Sequence, residues 1–126
     1  MTLEGVAQSL KLGGAGCSAK LGYGFGWAAR LPDALPIYPR GHARIAAGAD
    51  AGACKLRVVR FASPVSVADL IDFYYASAAK AGLAPQRRKE GGDEVVTGTK
   101  GGASYAVFIR SSADGMSEVD LAVSGF

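Results

Sequence analysis

The 126-residue sequence holds one histidine, two cysteines and one tryptophan. His42 is the sole imidazole, Cys17 and Cys54 stand far apart, and there is no Cys-x-x-Cys, so a zinc site lacks ligands. No apolar run approaches 18 residues, so no membrane-spanning helix is expected. Charged residues make up only 20% of the chain and the net charge is +3, too little to imply nucleic acid by itself. Large apolar side chains are also few, because 23 of the hydrophobic residues are alanine. They suffice for one core, so residues 1–126 read as a single domain. A Gly-rich segment, 1–34, is expected to be tied to the core at 35–126.

Glycine is plentiful, at 18 residues, and with so much alanine it argues against a long helical bundle. Residues 5–12 alternate and read as a strand. In 13–27, Tyr23, Phe25 and Trp27 alternate with Gly24 and Gly26, as an irregular strand or as a loop packed onto the core. Three prolines follow within 32–39, which makes that stretch an extended connector. Strands are expected at 42–48 and 54–61; Val59 and Phe61 break the alternation of the second, which suggests a bulge or a twist near its end.

The clearest element is a helix over 66–81. Ser66 with Asp69 resembles a capping arrangement. Val67, Leu70, Tyr74, Ala78 and Ala81 form one stripe, and Gly82 takes the residue after the C-cap. Beyond it, segments 83–90, 94–100, 104–112 and 117–125 are separated by Gly-containing turns, as in a hairpin meander. Tyr105, Val107 and Ile109 form one apolar face, and Val119, Leu121 and Val123 another. The fold class is α+β: a single helix on one face of a twisted antiparallel sheet of about five to six strands. The other sheet face is expected to be wet or covered by the aromatic loop.

No catalytic signature is present. Gly14-x-Gly16-x-x-Ala19 starts like a dinucleotide fingerprint but runs into a sequence that cannot open a helix. His42 has no acidic neighbour in sequence, so it reads as structural and dispensable. Asp69 and Asp72 lie near the helix N-terminus, where they complement its dipole. Asp114, Glu118 and Asp120 lack Ca²⁺-loop spacing and read as turn and outer-strand residues. No catalytic residue, metal or cofactor is expected. Lys55, Arg57, Arg87, Arg88 and Arg110, with Tyr75, form a candidate interaction surface; the alternative for these cations is a solvated face that blunts a sheet edge.

Two readings of the cysteines stand: two buried thiols, or a Cys17–Cys54 bridge closing a loop of about 38 residues, worth about 3–4 kcal/mol by chain entropy. The bridge is favoured, because it would staple a segment with little packing of its own, and it implies an oxidising compartment. MTLEGVAQSL is not a signal peptide. The expected location is periplasmic or secreted with the leader missing from this sequence; the alternative is cytoplasmic.

Pro36-Ile37-Tyr38-Pro39, the Phe73-Tyr74 pair, Ala81-Gly82-Leu83 and the Gly-punctuated meander together resemble uncharacterised secreted or periplasmic bacterial domains. The arrangement is similar to the helix-on-sheet repeats of the outer-membrane assembly lipoprotein family BamC. The resemblance covers about residues 35–126 and implies no catalytic residues. The functional expectation is a non-enzymatic cell-envelope accessory or protein-interaction domain with an unknown protein partner. An edge strand also offers a route to a homodimer. The alternatives are a small-ligand-binding domain using segment 22–27 and, less favoured, a single-stranded nucleic-acid binder.

Overall fold

The computed structural model describes residues 21–50 and 54–126. The expected strand at 5–12, the Gly14/Gly16 motif and Cys17 lie outside the described residues. The rest is built from β1 (Gly22–Tyr23), a 3₁₀ helix (Phe25–Arg30), β2 (His42–Ala49), β3 (Leu56–Ser63), α1 (Val67–Lys80), β4 (Gln86–Glu90), β5 (Asp93–Lys100), β6 (Ala103–Ser111) and β7 (Ser117–Ser124). This is the expected α+β arrangement, one α-helix with an antiparallel sheet, but the sheet has seven strands rather than five to six. The added strand is the two-residue β1, too short to leave a periodic signal.

The strand order is β1-β2-β3-β7-β6-β5-β4, with every neighbouring pair antiparallel. The chain leaves β3 in mid-sheet, crosses by α1 to β4 at the far edge, and returns strand by strand until β7 pairs with β3. Two-residue turns, Gly91-Gly92 and Gly101-Gly102, join β4 to β5 and β5 to β6. Gly91 and Gly101 have φ of 62° and 60°, the left-handed conformation such tight turns require.

The helix ends behave as the sequence predicts. The Ser66 hydroxyl accepts from the Asp69 backbone N–H at 3.2 Å. At the other end Gly82 N–H donates to Ala79 O and Leu83 N–H to Ala78 O, a Schellman arrangement that buries Leu83. Leu70, Ile71, Tyr74 and Ala78 are the buried helix positions. They pack with Val107, Ile109, Val119, Leu121 and Val123 from the sheet. The proline-containing connector lies along the same layer. Leu35 is fully buried there, the Tyr74 hydroxyl donates to Pro36 O at 2.7 Å, and the Ser77 hydroxyl donates to Ala34 O at 2.7 Å. Burial raises the Tyr74 pKa well above the ordinary phenol value.

Two expectations need correction. The phase break read at Val59 and Phe61 is not a bulge: β3 pairs with β7 in unbroken register, and Val59 and Phe61 face the helix side while Leu56 and Val58 face the other. A strand with apolar residues on both faces loses its alternation because both are buried. The irregularity lies in β2, where the register shifts between Ala43 and Ile45. The aromatic loop does not cover the face remote from the helix either. A Cβ on Gly48 would come within 2.3 Å of the Trp27 ring, and Gly48 pairs across the sheet with Arg57, which pairs with Val123 of the helix-side core. Trp27 therefore sits on the helix side. The remote face has its own buried cluster, which includes Leu56, Val58, Val95, Phe108 and Ala122, with Leu21 against it.

Leu70→Ala is expected to cost about 2–5 kcal/mol in chemical denaturation, since its side chain is wholly buried between helix and sheet. Tyr75→Ala, at a residue 37% exposed, should stay within about 0.5 kcal/mol. Equal costs at both positions would contradict the helix orientation.

Candidate functional site

Most of the charge on this molecule is already spoken for. On the helix-remote face, Asp120 is 1% exposed and lies directly opposite Arg60. Arg60 grips it with two bonds, Nε to Oδ1 at 2.7 Å and Nη2 to Oδ2 at 3.0 Å. Arg110 adds Nη2 to Oδ2 at 2.6 Å and reaches Glu118 at 3.1 Å and Asp93 at 3.2 Å. The hydrogen bond to Asp120 raises the Arg60 pKa despite partial burial. Burial works against the Arg110 charge, but Asp120, Asp93 and Glu118 outweigh it and raise its pKa too. A carboxylate so saturated has no free lone pair aimed at solvent, which suits a structural tie rather than catalysis. Asp120 is not the solvated outer-strand residue the sequence suggests. Its face is sealed by cross-strand neighbours that only the register reveals.

A second knot sits on the helix side. Arg57, 7% exposed, donates from Nη2 to both Asp50 oxygens at 2.9 and 3.1 Å, and from Nη1 to the Ala49 and Leu56 carbonyls. Arg30 reaches Asp50 at 3.1 Å. Both guanidinium groups lie 4.9 Å from the Trp27 ring. These cation–π contacts fasten the 3₁₀ helix to β2 and β3. It works because Gly48 leaves room for the indole.

The six residues of the expected interaction surface therefore do not share one surface. Arg57 is buried in the Trp27 knot and Arg110 in the Asp120 network. Arg87 pairs with Asp72 of the helix, whereas Arg88 points to the other face and pairs with Glu90. Lys55 is exposed just before β3, and Tyr75 stands apart on the helix. His42 is exposed at the start of β2. Among the described residues no group of three or more His, Cys, Asp or Glu side chains could hold a metal ion. Nor is any helix there long and apolar enough to cross a membrane. The Cys17 half of the expected bridge lies outside the described residues; Cys54 is 6% exposed in the remote-face cluster, and no described thiol is free.

The structure instead gathers residues that no motif marks. Large exposed apolar side chains among the described residues are Tyr23 (58%), Phe25 (64%), Ile45 (39%) and Tyr75. The first three surround one hollow of about 290 Å³, completed by Gly24, Arg44 and Ala46. It lies where β1 gives out. Gly24 N–H donates to Ala46 O, and beyond that bond no described strand lies on the outer side of β2 at 42–45. Of segment 22–27, Tyr23, Gly24 and Phe25 line this hollow; Arg44 and Ile45 were legible only as a short strand. A larger hollow of about 400 Å³, lined by Gln86, Arg88, Thr97, Thr99 and Ser104, opens near the opposite edge. Its polar groups are ordinary outward strand positions. Tyr105 borders it, donates to Leu83 O at 3.1 Å across Gly98, and has its pKa pushed up to about 12 by burial.

Comparisons with models of known families, with curated proteins and with solved structures find no match.

Asp120→Ala is expected to lower stability by about 3–5 kcal/mol, because it leaves Arg60 and Arg110 half-buried without their shared partner. Glu118→Ala, nearer the solvent, should cost about 1 kcal/mol or less. Urea titration of both variants checks the ranking; equal costs would contradict a tie centred on Asp120.

Proposed function

We propose that this protein is a non-enzymatic accessory domain of the cell envelope that works by binding a protein partner at the β1–β2 edge. The observation that carries the reading is the contrast between the two sheet edges. β4 is exposed along its length and reads Gln-Arg-Arg-Lys-Glu, a charged edge that discourages pairing. The β1–β2 edge instead exposes Tyr23, Phe25 and Ile45 around a concave surface. Exposed aromatics beside a hollow are the usual anchors of a protein contact.

The compartment is part of the same proposal. It rests on the resemblance to envelope domains and on the Cys17–Cys54 bridge, and the absence of a free thiol among the described residues supports the latter. Non-reduced mass spectrometry should show a mass two protons below that of the dithiol form. Free alkylation of both cysteines in the native protein would remove this support and favour a cytoplasmic location.

The functional test is site-specific photocrosslinking in cells. A photoreactive phenylalanine analogue in place of Phe25 should give a discrete protein adduct, whereas the same probe in place of Arg88 should give none. Failure at Phe25, or equal crosslinking at both edges, would contradict the reading. The hollow also favours a second reading, a small apolar ligand held by segment 22–27. Native mass spectrometry would then reveal a bound mass that Phe25→Ser abolishes.

A further inference from the structure

The β2 edge carries more information than its apolar side chains. His42 and Arg44 stand along it and Arg40 lies in the turn just before it, where its φ is 72°; all three are exposed. Among the described residues no ion pair or hydrogen bond holds the Arg40 or Arg44 side chain, whereas Arg30, Arg57, Arg60, Arg87, Arg88 and Arg110 are all paired. The chain has already placed one carboxylate in the field of Arg44: Asp114, in the β6–β7 turn. Its pKa is lowered mainly by the Met116 N–H and the Ser112 hydroxyl, with a smaller contribution from Arg44. Among the described residues β2 is paired along the same stretch on one side only, to Arg60, Phe61 and Ala62 of β3. The site thus offers a strand edge, an apolar hollow at one end of it and, at Arg40 and Arg44, positive charge that no described carboxylate pairs directly.

Resting on the protein-interaction reading above, we propose that the outer edge of β2 at 42–45 receives an extended acidic segment of a partner protein. The segment adds as a strand beside β2, continuing the row that β1 begins. Its backbone supplies the pairing. An apolar side chain enters the hollow beside Phe25 and Ile45, and its carboxylates meet Arg40 and Arg44. A second copy of this chain fits poorly, because antiparallel pairing of two β2 edges at 42–45 brings the Arg44 side chains of both copies into one short stretch. Like charges opposite one another across a strand pair are destabilising.

The test uses the whole protein and synthetic blocked octapeptides with alternating valine and glutamate. Matched versions carry lysine for glutamate, or N-methyl groups on the amides that would face β2. Fluorescence anisotropy of the labelled peptides should show saturable binding of the Glu peptide that weakens as salt is raised. Binding should fall at least tenfold for the Lys and N-methyl peptides. Arg44→Glu should weaken the Glu peptide at least tenfold and improve the Lys peptide, while circular dichroism and melting temperature stay unchanged. Absence of saturable Glu-peptide binding, an unimpaired N-methyl peptide, or indifference to Arg44→Glu would each overturn the proposal. If the peptide fails while the Phe25 probe still captures a protein, strand addition falls and the interaction reading survives. If both fail, both fall. Sedimentation should show a monomer; a dimer dissolved by Arg44→Glu would replace the acidic segment with a second copy and overturn the proposal.

Discussion

The pairing of β3 with β7 is the constraint on which the sheet depends. It runs in register from Leu56 opposite Ser124 to Ser63 opposite Ser117, and joins two hairpin systems that otherwise share no strand neighbours. On its helix side it supplies Phe61, Val119 and Leu121 as the floor beneath α1. On its remote side it brings Arg60 opposite Asp120. A slip of one residue would turn every one of these side chains to the wrong face, setting Asp120 against the helix. The buried ion cluster thus restricts register as well as joining strands, since its geometry is satisfied in one alignment only.

The two edges of the sheet are managed in opposite ways. β4 is covered with charge, and its arginines pair with neighbours on either face. At the other end, β1 is two residues long and shields only part of β2. The Trp27 contacts with Arg30 and Arg57 hold the segment after β1 against the helix-side layer, so Tyr23 and Phe25 are presented by an anchored backbone rather than by a free loop. An anchored display lowers the ordering cost of any contact made there.

The sequence made the helix, its caps and the C-terminal hairpins legible because each has a local cause: a serine cap, a Gly-terminated stripe, paired glycines between alternating runs. The faces of Tyr105, Val107, Ile109, Val119, Leu121 and Val123 follow from the same alternation. What stayed hidden was non-local. Asp120 looks like a solvent-facing residue between valine and leucine, and only its opposition to Arg60, sixty positions earlier, makes it buried. The basic residues read as one surface scatter because strand alternation sends Arg87 and Arg88 to opposite faces and because Arg57 lies beneath Trp27. The β2 edge was equally invisible, since an edge is defined by which strand is missing beside it. The bulge was misplaced from β2 to β3 for a related reason: doubly buried strands erase the alternation by which a bulge is recognised.

The crossover has a consequence in time. When β3 emerges from the ribosome, its partner on the β7 side is more than fifty residues from being made, and everything between must be laid down before the central seam can close. Pairings this distant in sequence carry a large loop-closure cost ahead of any reward, so folding should be slow relative to α1 and the Gly-turn hairpins, which can form from local contacts. Through that interval β3, apolar on both faces, has no strand on its β7 side. A chaperone or a translocation channel that kept this strand from other chains would act on an apolar, half-paired stretch at the moment it is most exposed.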